Sequence, residues 1–111
     1  MSALNQQYYV TTDASGSARI VCAPAAANTE WTVIRMIVTG PSDYASGQFD
    51  IYLTTENPAS KLDTTNKPSD DIWSGESVSV ESGNSLIGIW TGCKPNSTYS
   101  LTIMGAFYDA I

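Results

Sequence analysis

The sequence predicts an all-β fold, a single antiparallel β-sandwich of about seven or eight strands. Apolar and polar residues alternate with a period of two through most of the 111 residues, which is the repeat of a half-buried strand. Turn-forming clusters recur roughly every 8–12 residues, a spacing typical of sandwiches and barrels. Charged residues make up only 14% of the chain, which disfavours a helical bundle with charged outer faces.

The first two predicted strands are residues 7–12 and 18–23. Residues 7–12 are rich in aromatic and β-branched side chains, which favour extended structure. A turn at Gly16 separates the two strands, so we expect them to pair as a hairpin. Residues 1–6 are polar and form a candidate docking arm, to be held by a neighbouring chain.

The strongest predicted strand is residues 30–39, because both of its faces are mostly apolar. One face carries Trp31, Val33, Arg35 and Ile37, and the other carries Ile34, Met36 and Val38. Such a strand is typical of a central position that is covered on both sides, in part by a partner chain. Arg35 is therefore a candidate for an ion pair with an acid across the sheet or for a contact with another subunit; alternatively, its stem lies along the sheet with its head in solvent.

The middle of the chain is predicted to be a strand, a long loop and two short strands. Residues 48–55 alternate cleanly, with their apolar side chains inward. Residues 56–69 are polar, contain two prolines and show no period, so we expect a long polar loop of the kind that often carries function. Short strands are expected at 70–73 and 77–80, with a turn between them.

Residues 86–91 and 98–109 complete the predicted sandwich. The turn at 81–84 has strong hairpin character, and the length of the final strand suits a central position. A jelly-roll-like sandwich is favoured over an immunoglobulin-like one, because Cys93 follows Trp90 in a turn and not in a late central strand.

The residues that enzymes and nucleic-acid-binding proteins need are scarce. There is no histidine, which is the commonest general base and metal ligand. Five basic residues are scattered among eleven acidic ones, for a net charge of −6, which argues against nucleic-acid partners and against an anionic membrane surface. Asp63, Asp70 and Asp71 lack the spacing of a calcium loop. We expect no enzyme activity, no catalytic residues, no metal and no cofactor.

Four further side chains are expected to be buried. Trp31 and Trp90 have apolar neighbours and are assigned to the core. Cys22 and Cys93 are too few for a disulfide framework and are expected to be reduced small hydrophobes. Whether these two cysteines pair stays open at this stage.

Aromatic residues near loops and strand ends are the best interaction candidates. Tyr8 and Tyr9 must point to opposite faces of one strand, so at least one of them meets a partner or solvent. Tyr44 lies in the loop between Gly40 and Gly47, and Trp73 follows the long acidic loop. The candidate interaction residues are therefore Tyr8, Tyr9, Arg35, Tyr44 and Trp73.

Five blocks of the sequence carry a family resemblance. They are Trp31-Thr-Val-Ile-Arg-Met-Ile-Val38, Phe49-Asp-Ile-Tyr-Leu53, Ser74-Gly-Glu-Ser-Val78, Leu86-Ile-Gly-Ile-Trp-Thr-Gly92 and Ser100-Leu-Thr-Ile-Met-Gly105. In this succession the chain resembles the small β-sandwich head decoration and minor virion proteins of tailed bacteriophages.

The resemblance implies a non-enzymatic virion structural protein that stabilises or adorns the phage head. Its partners would be the major capsid protein or other virion subunits, and further copies of itself, with a trimer as one arrangement. Its location would be the virion, assembled in the host cytoplasm, and the N-terminal residues lack the pattern of a signal peptide.

A second hypothesis is a carbohydrate- or receptor-binding β-sandwich module on a tail, fibre or head surface. Such modules stack sugar rings on exposed aromatic side chains. This hypothesis predicts coplanar aromatics in a groove or at loop tips, including Tyr44 and Trp73, and a glycan as the partner.

Overall fold

The computed structural model describes residues 2–24 and 29–109, with the side chains of residues 70–75 and 109 outside that description. Within this part of the chain eight strands form two four-stranded sheets, and a short 3₁₀ helix, Pro58–Ser60, precedes the fifth strand. The strands are β1 (Ser2–Thr11), β2 (Ala18–Cys22), β3 (Thr29–Thr39), β4 (Gln48–Leu53), β5 (Lys61–Thr65), β6 (Asp70–Val80), β7 (Leu86–Thr91) and β8 (Thr98–Asp109).

The two sheets have the strand order of a jelly roll. The first sheet runs β1-β8-β3-β6 and the second runs β2-β7-β4-β5, with antiparallel pairing throughout. Most connections therefore cross from one sheet to the other, as in double-sheet jelly rolls. The predicted all-β antiparallel sandwich with jelly-roll-like order is confirmed, and β3 and β8 occupy the predicted central positions.

Two predicted hairpins are wrong. β1 and β2 lie in different sheets, and so do β6 and β7. A turn sequence determines where the chain reverses, but the reversal can also pass over the edge of the sandwich. The turn at Gly16 does so and packs on the β7–β8 connection: the Cys93 N–H donates to the Gly16 carbonyl oxygen at 3.0 Å.

Residues 2–6 of the predicted docking arm, 1–6, are instead part of a sheet, and Met1 lies outside the described residues. Ser2 pairs with Phe107, and the β1–β8 ladder continues without interruption to Thr11 and Thr98. The polar composition that suggested an arm reflects an edge strand, most of whose first six residues are exposed. Only Leu4 in this segment is buried.

Two further boundaries differ from the prediction. The expected loop 56–69 contains the 3₁₀ helix and β5, which pairs with β4. As an edge strand β5 is only partly buried, so it has no strong apolar alternation. The turn expected between 70–73 and 77–80 is absent, because β6 is continuous and absorbs extra residues as bulges against β3.

A β-bulge in β3 overturns the predicted division of its faces. Val33 pairs with Gly105 and Arg35 pairs with Met104, so Ile34 is an additional residue without its own partner on β8. The bulge reverses the alternation, and the inward residues are Trp31, Val33, Met36 and Val38. Ile34 is 53% exposed. The strand thus has one buried face and not two.

The core lies between the two sheets and is filled by large side chains from both. Trp90 and Phe49 of the second sheet are fully buried, with ring centroids 4.6 Å apart. Tyr99, Leu101 and Ile103 of β8 pack from the first sheet. The assignment of Trp31 and Trp90 to the core is confirmed.

Both cysteines are buried and neither forms a disulfide. Burial raises the pKa of the Cys22 thiol to about 12, and burial also raises the pKa of Cys93. The Cys93 sulfur packs against Gly47, where an added Cβ would lie 2.6 Å from it. The prediction of reduced, buried thiols agrees with this arrangement.

We expect Gly105→Ala to destabilise the fold. An added Cβ would lie 1.9 Å from the backbone oxygen of Thr32, and two paired strands cannot separate locally without losing their hydrogen bonds. Overpacking of this kind costs about 1–3 kcal/mol, measurable by urea denaturation. The neighbouring substitution Ala106→Gly should cost only about 0.5–1 kcal/mol. Equal stability of Gly105→Ala and the wild type would contradict the close approach.

We expect both native thiols to resist alkylation by iodoacetamide near neutral pH and to react fully in urea, as read by mass spectrometry, because both are buried in the folded chain.

The Cys22 thiol has an ordinary pKa of 9.0 when unfolded and one of about 12 when folded. The unfolded chain therefore releases this proton first, and the free energy of unfolding falls as pH rises from 9 towards 12. Cys22→Ala should remove that part of the decline; an unchanged slope would contradict the assignment.

Candidate functional site

The outward side of the first sheet is a candidate contact surface, because its register places side chains from β1, β8 and β3 in rows. The rows are Tyr9, Ser100 and Thr39; Gln7, Thr102 and Ile37; and Asn5, Met104 and Arg35. We call these residues, together with Ile34 beside Arg35, the outer face. The hydroxyls of Thr39 and Ser100 are hydrogen bonded to each other, which couples two strands at one end of it.

The outer face is nearly without charge. Neither β1 nor residues 98–108 of β8 contain a Lys, Arg, Asp or Glu, although the chain as a whole carries a net charge of −6. Arg35 is the one charged member of the outer face. Depletion of charged residues is the compositional feature that distinguishes the centre of a protein–protein interface from the rest of a surface.

The bulge in β3 adds an exposed apolar residue, Ile34, to this surface. Since a bulge sets two residues of one strand opposite a single residue of its neighbour, Ile34 and Arg35 both stand against Met104, and both are exposed. Sequence reasoning identified Arg35 but assigned Ile34 to the opposite face. The available signal was Gly105, which gives β8 the space that the displaced β3 backbone occupies.

Tyr8 and Tyr9 point to opposite sides, as their adjacency predicts. Tyr8 is partly buried and packs against the core, and this burial raises the pKa of its hydroxyl. Tyr9 is 64% exposed and borders a shallow depression of about 130 Å³ beside Gly40 and Tyr99. Of the two, only Tyr9 belongs to the outer face.

Tyr44 lies in a separate cleft of about 320 Å³. The β3–β4 loop forms one wall and the residues before β6 form the other; the lining residues are Pro41, Ser42, Tyr44, Ala45, Lys67, Pro68 and Ser69. The Gly40 N–H donates to the Ser69 hydroxyl at 2.9 Å and joins the walls. Sequence reasoning did not bring these two loops together, since no local pattern links segments so far apart.

The β3–β4 loop is also tied to the β7–β8 connection. Lys94 Nζ lies 2.8 Å from Asp43 Oδ2, and the hydrogen bond from this ammonium group lowers the pKa of Asp43. The backbone N–H of Lys94 donates to the Tyr99 hydroxyl at 3.0 Å. One wall of the Tyr44 cleft is thereby anchored to a core residue of β8.

Trp73 falls in β6, where its Cα pairs with that of Met36, and its side chain lies outside the described residues. Whether Trp73 and Tyr44 form a common aromatic site therefore stays a prediction. The structure places Tyr9 and Arg35 on the outer face, Tyr8 against the core and Tyr44 in the cleft, so it does not unite the five candidate residues in one site.

The outward side of the second sheet differs from the outer face in charge. Arg19 on β2 forms an ion pair with Glu56 at 2.8 Å, and Lys61 on β5 lies 3.7 Å from an oxygen of Asp50. Val21 on β2 is an exposed apolar residue, 49% accessible, on this charged side. It is the closest counterpart there to Ile34.

In the part of the chain that the structure describes, no three His, Cys, Asp or Glu side chains are grouped so that they could hold a metal ion. No helix in the described ranges has the length and apolar character needed to cross a membrane.

No protein-family model matches this sequence, and no curated protein matches it. Among solved structures, the chain is similar to the Yersinia pseudotuberculosis-derived mitogen, with a TM-score of 0.46 and 14% identity over 93% of this chain and 86% of that one. It is also similar to a family two carbohydrate esterase from Cellvibrio japonicus, with a TM-score of 0.31 and 10% identity over 97% of this chain and 36% of the esterase. Likenesses of this size carry no argument about what this chain does.

Proposed function

We propose that this protein is a non-enzymatic structural protein of a virion, which decorates or stabilises the head of a tailed phage. The outer face is the surface that would contact the major capsid protein or neighbouring virion subunits. The observation that carries the proposal is that β1 and residues 98–108 of β8 have no charged residue in a chain whose net charge is −6, while β3 (Glu30 and Arg35) and the opposite edge strand, β6, carry charged residues. The double-sheet jelly roll supports it, since this architecture recurs in viral capsid proteins.

The proposed mechanism is the burial of many identical contacts. Ile34, Ile37 and Met104 would form the apolar centre of each contact, and the surrounding hydroxyl and amide side chains would supply hydrogen bonds at the rim. A standard interface buries about 1,600 Å². On a shell of symmetry-related subunits, several such contacts act together, so neighbouring subunits are held by avidity as well as by each single affinity.

Charge is consistent with a position on the outer surface of the shell. A protein with a net charge of −6 is repelled by packaged nucleic acid, whose phosphates attract basic surfaces. The same charge keeps a small protein soluble at high local concentration. The acidic residues therefore suit the sides of the molecule that face solvent, and the outer face, whose single charged residue is Arg35, suits the side that faces the shell.

We expect Ile34→Asp to weaken binding to phage shells by about tenfold or more, because a buried, unpaired carboxylate costs several times RT. The measurement is co-sedimentation of the purified protein with DNA-free shells and filled heads from a panel of tailed phages. Val21→Asp is the matched control, since it introduces the same charge at a similarly exposed apolar residue on the second sheet.

The two variants separate this proposal from its alternatives. Loss of binding in both variants would indicate a general effect of charge and would argue against the outer face as the contact. Loss in Val21→Asp alone would transfer the contact to the second sheet. A wild-type protein that binds none of the shells but does bind a class of sugars would overturn the structural role.

A second candidate function, glycan binding, is favoured by the cleft at Tyr44. An aromatic ring, two prolines and nearby hydroxyl and ammonium groups line about 320 Å³, and apolar walls with a few convergent polar groups are the usual composition of a small-ligand site. Jelly rolls are also found in lectins. The cleft is small, which suits one or two sugar rings.

If the cleft binds glycans, Tyr44→Ala should abolish the signal on a glycan array, because the stacking surface is lost. Tyr9→Ala removes an exposed tyrosine from the outer face and should leave the signal unchanged. An equal loss in both variants, or no array signal for the wild type, would count against this second function.

A further inference from the structure

The sandwich has four edge strands, and three of them are protected against pairing with another chain. β6 carries acidic residues and two irregularities in its register with β3. β2 and β5 are only five residues long, and each carries a basic residue in an ion pair, Arg19 and Lys61. Charge, short length and bulges are the devices by which native sheets prevent edge-to-edge association.

β1 has none of these devices. It is ten residues long, has no charged residue and no proline, and keeps an unbroken register with β8 from Ser2 to Thr11. Among the strands that the structure describes, none lies on its other side in the sheet. Alternate residues of an antiparallel edge strand turn their N–H and C=O groups away from the sheet, so β1 offers a full-length row of unpaired backbone groups.

We propose that this edge binds the same edge of a second copy of the chain. The two β1 strands would pair antiparallel about a two-fold axis through Gln6, and the two first sheets would become one continuous eight-stranded sheet. This is β-strand addition with an identical partner. It replaces the trimer implied by the family resemblance with a two-fold dimer, and it does not depend on the shell-binding proposal.

The sequence of β1 is complementary to itself in this register. On the core side, Leu4 of one copy would face Tyr8 of the other. Both residues already pack in or against the core of their own chain. On the outer side Ala3 would face Tyr9, a small residue beside a large one. Inner residues meet inner residues and outer meet outer, so both sheet faces continue across the axis.

The polar residues near the axis can also satisfy each other. Asn5 would face Gln7, and Gln6 would face its own copy. A side-chain amide is both a donor and an acceptor, so two identical amides related by a two-fold axis can form hydrogen bonds with each other. Gln6 is exposed in the single chain, so its amide is accessible to such a contact.

The distribution of charge favours β1 as the edge at which two copies of this acidic chain meet. Two copies with a net charge of −6 repel each other least where the approaching surfaces are uncharged, and β1 is the edge that meets this condition. The remaining repulsion comes from charges elsewhere on the two copies, and salt screens it over a Debye length of about 8 Å. Added salt should therefore strengthen the dimer, the reverse of an association driven by opposite charges.

The size of the contact indicates a dimer of moderate affinity. A ten-residue strand is about 34 Å long, and pairing two such edges buries on the order of 1,000 Å² in total, the lower limit for a specific interface. About ten new backbone hydrogen bonds would accompany it. We expect a concentration-dependent equilibrium in the micromolar range and not a permanent dimer.

The first test is the solution mass of the purified full chain, without shells. At about 100 µM and physiological salt we expect a mass approaching twice 11.9 kDa, with a dimer fraction that rises with added NaCl. Gln6→Lys places two like charges at the axis and should raise the dissociation constant at least tenfold. Gln48→Lys makes the same change at an exposed position on the second sheet and should leave it unchanged. Circular dichroism checks that both variants are folded.

Cross-linking tests the register itself. Residues directly opposed in antiparallel strands have Cα atoms about 4.5–5.5 Å apart, which is within the range for a disulfide. Gln6→Cys should therefore form a covalent dimer on mild oxidation, and Gln48→Cys should not. A mixture of the Ala3→Cys and Tyr9→Cys variants should give a mixed dimer.

A wild-type chain that stays monomeric at every salt concentration would overturn the proposal, and so would equal cross-linking of Gln6→Cys and Gln48→Cys. A chain that is monomeric alone but binds shells would overturn the dimer and leave the proposed function standing. A dimer that ignores shells would support the edge and remove the proposed function. The failures of the two proposals are thus distinguishable.

Discussion

The close approach of β8 to β3 at Gly105 is the constraint on which the rest of the first sheet depends. A glycine there lets the backbone of Thr32 come within a distance that any Cβ would block, and β3 uses the space to insert Ile34 as an extra residue. Without that residue Met36 and Val38 would face solvent, because the side-chain period of a strand is two. The bulge therefore completes the core and exposes Ile34 and Arg35 in a single step.

Local pattern predicted the strands well and their partners poorly. Residues 86–91 and 98–109 have the predicted bounds as β7 and β8, because their alternation and flanking turns are both local properties. The partners of β1 and β6 are not local: a turn at Gly16 is compatible with a hairpin and with a crossover between sheets. Similarly, the Tyr44 cleft joins two loops that only the jelly-roll connection brings together.

The candidate contact surface was predictable in composition but not in shape. Absence of charge over β1 and residues 98–108 can be read from the sequence, and the two faces of Tyr8 and Tyr9 follow from the alternation of a strand. The position of Ile34 could not be read, since a strict period of two assigns it to the core side. The β-bulge moves Ile34 to the other face of the strand, and its trace in the sequence is a glycine on the neighbouring strand.

The outer face, with its single charge at Arg35, and the unprotected β1 edge meet at the same strand, and this has a consequence for assembly. An edge strand that is long, regular and uncharged is a liability in a protein that works as a separate monomer, whereas here it adjoins a face of the same character. Pairing two edges doubles that face into one continuous surface without adding charge to it. When a shell of repeated subunits binds two neighbouring copies through their outer faces, it holds their β1 edges at a high effective concentration. An edge contact that is weak in solution then becomes strong on the shell.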